Sequence, residues 1–276
     1  MWRRFQLARP LLKRGQDYWC AQIQGAREHQ EDDTGFDDSY TDQLLMLIAD
    51  GMGGYLGGDV ASKNTMNSFS QAFKNDSEVD ISKRLNNSLT HANNKLALIK
   101  NENPKLQEMG CTFIGATLHF KTSNLHWISV GDSPLWIFRK GNLTRLNEDH
   151  SRREEFNNMI RKGEITSKEA SKSPYRNALT SAITGTPPSL LDNSQINIHN
   201  DDIILMASDG LFTLSKEEIV QHLKHHNTAK EITNNLLEAT TNKQRENQDN
   251  TSVLIVKIPD NFNNLIKDEE TKTNLG

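Results

Sequence analysis

The sequence predicts an α+β fold, a four-layer α-β-β-α sandwich in which two mostly antiparallel sheets are flanked by helices. Short apolar runs bounded by glycine or by polar turns indicate buried strands. Several connections between these runs are too short for the crossovers that parallel neighbours require, so the strands are expected to pair antiparallel. The helical segments carry single apolar stripes, and such helices must cover the outer faces of the sheets.

The predicted elements follow one another from a first strand to a closing strand. Two helices come early, and in the second one Ile81, Leu85 and Leu89 recur at the three- or four-residue spacing of a helix face. A β-meander occupies the middle of the chain, where polar turns separate the apolar runs. The predicted strands include 44–49, 111–120, 125–130, 135–139, 203–207 and 253–258, and the predicted helices are 60–74, 81–100, 216–224 and 228–241.

At 276 residues the chain could form one large domain or two small ones. A single domain over residues 18–258 is favoured, because the candidate site residues described below come from both halves. Residues 1–17 form a basic arm, interpreted as a solvated lead-in to the first strand, with docking to a membrane or partner as the alternative. Residues 150–185 are polar and long for a connection, which predicts a mobile flap. The polar tail, 259–276, is expected to be disordered.

Composition and charge exclude several classes of protein. A net charge of −4 gives no electrostatic case for binding nucleic acid or an anionic membrane. Cys20 and Cys111 lack the number and spacing of a disulfide scaffold, a zinc site or a redox motif, so both are expected to be reduced, buried thiols. No segment has the apolar length of a secretion signal or a membrane span, and no heptad pattern suggests assembly. The chain is therefore expected to be a soluble, cytoplasmic monomer.

Four aspartates stand where an apolar run meets a turn, and this repeated placement is the main functional signal. They are Asp50, Asp132, Asp209 and Asp249. Carboxylates at the ends of packed strands can converge, and ionised carboxylates that converge repel one another unless a cation lies between them. Sites built from oxygen ligands favour Mg²⁺ or Mn²⁺. The sequence thus predicts a divalent metal site.

A series of short motifs surrounds these aspartates in a fixed order. The motifs are an arginine with an acidic pair (27–32), DGMGG (50–54), MGCT (109–112), VGDS (130–133), DHS (149–151), SDG (208–210) and DN (249–250). Together they resemble the metal-dependent Ser/Thr protein phosphatases of the protein phosphatase 2C family, over about residues 18 to 258. The flap sequence RKGEITSKEA, followed by RNALT, is similar to the bacterial branch of that family.

The resemblance implies a protein phosphatase that uses two bound metal ions, Mn²⁺ or Mg²⁺. Asp50 would bridge the two ions, with the Gly51 carbonyl on one ion and with Asp209 and Asp249 on the other. A hydroxide held between ions roughly 3.5–4 Å apart would attack phosphorus without a covalent phosphoenzyme. The implied substrates are phosphoserine and phosphothreonine in proteins that a Ser/Thr kinase has phosphorylated.

The other site residues of the family motifs have supporting roles. Arg27 would bind two phosphate oxygens with its planar fork, which makes it a catalytic and substrate-binding residue with Asp50 and Asp209. A surface ion pair between Arg27 and Glu28 or Glu31 is the alternative for this arginine. Glu31 and Asp32 would orient metal-bound waters, although each could also be an ordinary solvated carboxylate.

A third and weaker metal is also implied by the resemblance. Asp132, paired with Asp209, stands at the position that would hold it. The histidines of the chain are interpreted as structural, because a site for hard cations built from oxygen needs no imidazole. They include His29, His119, His126 and His150.

Three departures from the family pattern bear on the reaction. Met52 stands where many relatives have a histidine proposed to protonate the leaving group. Water or another group is therefore expected to donate this proton. Pro134 replaces an arginine that often follows GDS, and the turn at 181–186 is longer than usual. These two changes are expected to affect substrate preference more than the chemistry.

Two other classes of function stay open from the sequence. A non-catalytic protein that keeps the fold and binds a phosphoprotein is favoured by Met52 alone. A two-metal nuclease would require a basic face near the ligands, and the sequences around the four aspartates are not basic.

Overall fold

Two antiparallel sheets face each other in the computed structural model, which describes residues 11–53, 57–173, 175–225 and 227–262. The first sheet has five strands, in the order β1 (Tyr18–Ile23), β12 (Thr251–Lys257), β11 (Ile203–Ala207), β8 (Leu135–Arg139) and β9 (Asn142–Arg145). The second also has five, in the order β10 (Asp192–Asn197), β7 (Asn124–Val130), β6 (Phe113–His119), β3 (Gln43–Ala49) and β2 (Asp33–Asp37). A short pair, β4 (Gly51–Met52) with β5 (Gly110–Cys111), lies beside them.

Helices cover the outer face of each sheet. The helices are α1 (Gly57–Asn75), α2 (Ile81–Glu102), α3 (Arg153–Arg161), α4 (Ser167–Lys172), α5 (Lys216–His225) and α6 (Ala229–Asn242). Side chains cap the N-termini of some of these helices. Asp80 accepts hydrogen bonds from the N–H groups of Ser82 and Lys83 at the start of α2, and Thr228 forms a capping box with Glu231 at the start of α6. None of the described helices is long and apolar enough to cross a membrane.

Three apolar layers separate the four layers of secondary structure. Along β3 the side chains alternate: Met46 and Ile48 face the other sheet, while Leu45 and Leu47 face α1 and α2. The other sheet alternates in the same way and packs its outer side against α5 and α6. Because both faces of each central strand are covered, these strands consist almost entirely of apolar residues. The predicted four-layer α-β-β-α sandwich is confirmed.

Most predicted elements lie within a few residues of the observed ones. The two-residue strand β4 was not predicted. Neither were β2 and β10, which form the two edges of the second sheet. Their sequences, DTGFD and DNSQIN, contain few apolar residues because an edge strand is only partly covered. The predicted flap, 150–185, contains the two short helices α3 and α4.

The core extends past both ends of the predicted domain, 18–258. Leu12 and Phe262 are buried among the side chains between the two sheets. The carbonyl groups of Gly15 and Gln16 accept hydrogen bonds from the start of α6, at 3.1 and 2.8 Å. Residues 11–17 are therefore part of the folded body. The remainder of the predicted arm, 1–10, and of the predicted tail, 263–276, lies outside the described residues, so the division into arm, domain and tail stays a prediction.

Replacing Phe69 by alanine should destabilise the fold strongly. Its ring is fully buried between α1 and the second sheet, and its centroid lies 4.7 Å from that of Phe113. Truncation would leave a cavity, so the free energy of unfolding should fall by about 3–5 kcal/mol in urea titrations. Leu98→Ala on the exposed face of α2 is the control, with an expected change within about 0.5 kcal/mol. Equal losses in the two variants would contradict this packing.

Candidate metal centre

Strand ends from both sheets meet at one cavity of about 300 Å³. The register of strand pairing brings these strand ends together. Ala49 at the end of β3 lies opposite Asp33, Phe113 at the start of β6 lies opposite Val130, and Ala207 at the end of β11 lies opposite Val253. The residues that flank these positions therefore share one end of the sandwich. They line the cavity together with two flap residues; the lining is Arg27, Glu31, Asp50, Gly51, Met52, Gly53, Thr112, Asp132, Asn177, Leu179, Asp209, Asp249 and Asn250.

Asp50 is held rigidly at the point where β3 ends. Its N–H donates to the Thr112 hydroxyl at 3.1 Å, and its carbonyl accepts from the Thr112 N–H at 2.8 Å. The Thr112 hydroxyl lies 2.7 Å from that of Ser133 in the GDS turn. Main-chain contacts therefore set the position of Asp50 and leave its carboxylate directed to the cavity.

Ser208 links the SDG turn to the acidic pair near the N-terminus. Its hydroxyl donates to Asp32 at 2.7 Å and accepts from the Ser252 N–H at 2.9 Å. Asp32 itself is buried and does not line the cavity, so it stands behind Asp209, which begins a short 3₁₀ helix, Asp209–Thr213. Its role in orienting metal-bound waters stays a prediction.

Asn250 fixes the loop that carries Arg27 and Glu31. Its amide donates to the carbonyl groups of Gln24 at 2.7 Å and His29 at 3.0 Å, and its carbonyl accepts from the Glu31 N–H at 2.8 Å. Although Asn250 lies in the DN motif, the sequence analysis gave it no role. Its partners stand more than 200 positions away in the sequence, so no local pattern could have identified them.

Glycine is required at position 51 by close packing. A Cβ atom there would collide with the carbonyl oxygens of Gly58 and Glu31, so the loop, β4 and the start of α1 could not approach one another. This packing places the Gly51 main chain at the cavity, as the DGMGG motif predicts. The last glycine of that motif, Gly54, lies outside the described residues.

The carboxylates of this cavity are electrostatically strained. Burial, with repulsion from Asp32 and Asp209, raises the pKa of Asp50 well above its ordinary value. Burial, with repulsion from Asp132 and Asp249, raises the pKa of Asp209 to about 7. Burial also raises the pKa of Asp32 to about 6, although hydrogen bonds from two serines oppose the shift. Each of these shifts means that the ionised form lacks compensation, which a bound cation would supply.

The donor set fits hydrated divalent cations. Among the described residues, no group of three or more His, Cys, Asp or Glu side chains stands close enough to hold a metal ion by itself. Mg²⁺ and Mn²⁺ accept such an arrangement, since they retain water ligands and also bind main-chain carbonyl groups. The open cavity provides room for these waters, and the uncompensated carboxylates provide the charge.

Arg27 forms an ion pair with Asp249, with its Nη2 atom 2.7 Å from Oδ2. The alternative expected from the sequence was a surface ion pair with Glu28 or Glu31. In the structure the partner is Asp249, a predicted metal ligand. The pairing raises the pKa of the guanidinium, and more than half of the side chain stays exposed at the cavity. Arg27 is therefore placed to contact an anion that enters the cavity.

Asp132 is held by an arginine that the sequence analysis missed. The Nη2 atom of Arg153, at the start of α3, lies 3.1 Å from its carboxylate, and Nη1 lies 3.2 Å from Asp149. Arg145 pairs with Asp149 at 2.8 Å and donates to the Asp132 carbonyl at 2.9 Å. The flap is thus joined to the metal centre through charged side chains.

No histidine is among the residues described at the cavity. His150 is buried, and its Nδ1 atom accepts from the Gly131 N–H at 3.2 Å, so it supports the GDS turn. Burial lowers the pKa of His150, which favours the neutral ring. Cys111 is buried too, and burial raises its pKa to about 12, so its thiol is not a nucleophile at neutral pH.

Known proteins resemble this chain in sequence and in fold. The sequence profile described as protein phosphatase 2C matches residues 24–250. The serine/threonine phosphatase stp of Listeria monocytogenes is 29% identical over 236 residues, which cover 84% of this chain and 91% of that protein. The crystal structure of the Mycobacterium tuberculosis serine/threonine phosphatase PstP/Ppp superposes with a TM-score of 0.74 at 25% identity, covering 88% of this chain and 98% of that one. A PstP catalytic domain in complex with two manganese ions shares the fold, with a TM-score of 0.70 at 24% identity, over 87% of this chain and 97% of that one.

The variant Asp209→Asn should be more stable than the intact protein when metal is removed by chelator at pH 8. The pKa of Asp209 rises from 3.8 to about 7 on folding. The folded state therefore binds more protons than the unfolded chain between these values, and metal-free stability falls as pH rises through that window. An uncharged side chain avoids this loss, so the free energy of unfolding should rise by roughly 1–3 kcal/mol in chemical denaturation.

The exposed variant Asp260→Asn serves as the control and should change little. The advantage of Asp209→Asn should disappear at about pH 3, where the carboxyl is largely protonated in both the folded and the unfolded state. A variant no more stable than the intact protein at pH 8 would show that the carboxylate cluster is not strained.

Proposed function

The chain belongs to the protein phosphatase 2C family, and we propose that the cavity shared by its two sheets hydrolyses the phosphoserine and phosphothreonine esters of proteins. As a member of this family it is a metal-dependent protein serine/threonine phosphatase. The observation that carries the proposal is the convergence of Asp50, Asp209 and Asp249 with Arg27 at one cavity, since carboxylates for cations and a guanidinium for phosphate are what phosphoester hydrolysis requires.

Two divalent cations would be held by Asp50, the Gly51 carbonyl, Asp209 and Asp249. Bound divalent cations supply Lewis-acid chemistry, which activates water and neutralises charge on the phosphoryl oxygens. Glu31 and Asp32 would accept hydrogen bonds from the waters around the cations, since one lines the cavity and the other lies behind Asp209. Oxygen donors alone suit either Mn²⁺ or Mg²⁺.

A third cation would compete with an existing contact. Asp132, with Asp209, is the site proposed for it, but the guanidinium of Arg153 already lies 3.1 Å from the Asp132 carboxylate. A cation bound there must displace this guanidinium or share the carboxylate with it. Occupancy of the third site is therefore proposed to be weaker than that of the first two.

Arg27 would orient the substrate. Only Nη2 contacts Asp249, so the other N–H groups of the guanidinium stay available for two phosphate oxygens. The loop that carries Arg27 is fixed by Asn250, so the fork is held in place before the substrate binds. This arrangement places phosphorus next to the carboxylate cluster.

The proton for the leaving serine or threonine oxygen would come from solvent. Met52 lines the cavity and has no proton to donate, and no histidine is among the described lining residues. The cavity is open to water. The non-catalytic alternative was favoured by Met52 alone, whereas all the carboxylates proposed to hold the two cations are present at the cavity.

Asp50→Ala and Asp209→Ala should each abolish turnover. Removing either carboxylate takes away charge that the cations require, so phosphate release from a phosphothreonine peptide with Mn²⁺ should fall by roughly 10³-fold or more. Chelator should have the same effect on the intact protein, and Asp260→Ala should release phosphate at the normal rate. Turnover retained in both site variants would rule out the proposed metal centre.

Arg27→Lys should bind the substrate more weakly although the positive charge is kept. Lysine is a point charge and cannot donate the two parallel hydrogen bonds of a guanidinium. We expect kcat/KM for the peptide to fall about 10- to 100-fold, mainly through KM, and to fall further in Arg27→Ala. Steady-state kinetics at several peptide concentrations measure kcat and KM separately. Full activity in Arg27→Lys would show that the fork does not bind phosphate.

A further inference from the structure

A second cavity of about 680 Å³ adjoins the metal centre. The two cavities share Asn177, Asp209 and Asp249 as lining residues. The second one lies between the flap, which contributes Arg176, and the loop before β12, which contributes Arg245. An extended substrate with its phosphate in the first cavity could therefore continue into the second.

The arginines of the second cavity differ in their pairing. Arg153 is committed to Asp132 and Asp149. Arg176, by contrast, forms no ion pair with a described residue, and its buried Nε atom has no hydrogen-bond partner. The side chain of Arg245 makes one long contact, 3.3 Å from Nη2 to the Thr213 carbonyl. Two guanidinium groups that have no carboxylate partner among the described residues thus line one cavity in a chain whose net charge is −4.

An aromatic ring and an amide also line this cavity. The ring of Phe212 is partly exposed there, lies edge-on to Trp136 with 5.8 Å between centroids, and carries the Arg153 guanidinium 4.5 Å above it. Asn247 adds an amide at the same wall. A buried donor without a partner, such as Nε of Arg176, destabilises the free protein. A ligand that supplies a hydrogen-bond acceptor would remove this cost and bind more tightly.

We propose that this second cavity is an anion subsite, which binds a second phosphate or a carboxylate side chain on the same protein substrate. Guanidinium groups bind phosphate and carboxylate through paired, charge-assisted hydrogen bonds. Here the two groups come from different segments, the flap and the loop before β12. The preferred substrate is therefore an acidic or multiply phosphorylated segment. This inference rests on the proposed phosphatase function.

Peptides that differ by one anionic residue test the subsite. A phosphothreonine peptide with alanine at the flanking positions is compared with peptides that carry one glutamate or one phosphoserine at each of those positions in turn. With Mn²⁺, the intact protein should hydrolyse peptides that carry the second anion at one particular position with a kcat/KM roughly 10-fold higher than that of the alanine peptide. The increase should be larger for phosphoserine than for glutamate. In Arg176→Ala and Arg245→Ala this preference ratio should fall towards one.

A charge-matched variant and a small substrate separate the subsite from the reaction centre. Arg161→Ala removes an exposed flap arginine that does not line the cavity and should keep the preference. An aryl phosphate, which carries no second anion, measures the reaction centre of every variant. If the intact protein hydrolyses the aryl phosphate and the peptides without preference, or if both variants keep the preference, the subsite is refuted while the phosphatase function stands.

Binding measurements keep the test independent of turnover. The dissociation constant of a non-hydrolysable phosphonate peptide, with and without the second anion, should differ by the same factor in the intact protein and not in Arg176→Ala or Arg245→Ala. Inorganic phosphate is titrated in parallel. If only free phosphate affinity depends on the two arginines, the cavity binds the product and the substrate subsite is overturned.

Discussion

The mutual repulsion of carboxylates at one end of the sandwich is the constraint on which the rest of this structure depends. Asp50, Asp132, Asp209 and Asp249 come from four different strand ends, and repulsion from neighbouring carboxylates adds to the burial that raises the pKa of Asp50 and of Asp209. Such a group persists only where the backbone is fixed by other contacts. Thr112, Ser208 and Asn250 provide these contacts, and the apolar layers on both faces of the sheets keep the strand ends in register.

Charge compensation by the protein is confined to the periphery of the cluster. Arg27 pairs with Asp249 on one side and Arg153 pairs with Asp132 on the other. Among the described residues, no lysine or arginine forms an ion pair with Asp50 or Asp209, whose carboxylates lie between those two pairs. The centre of the cluster is therefore where a bound cation would stabilise the folded protein most.

The flap is part of this electrostatic system. Its first helix is attached through Arg153. Arg176, further along, lines the second cavity and has no carboxylate partner among the described residues. Binding events at the metal centre and beneath the flap thus share Asp209, Asp249 and Asn177. A substrate that fills both cavities would contact the flap and the sheets at the same time. The flap would then take part in substrate selection.

The sequence by itself determined the layers of the fold, the apolar strands and the identity of the carboxylates, because each of these leaves a local pattern: an apolar run, a helical stripe, a DG or SDG turn. It did not show the edge strands β2 and β10, whose polar residues are paired through the backbone. Nor did it show the roles of Asn250, Arg153 and Arg176. Only the tertiary structure decided that Arg27 pairs with Asp249, 222 positions away, and that a second cavity adjoins the first. Such contacts depend on strand register and on the packing of distant segments, and neither is written in any local stretch of residues.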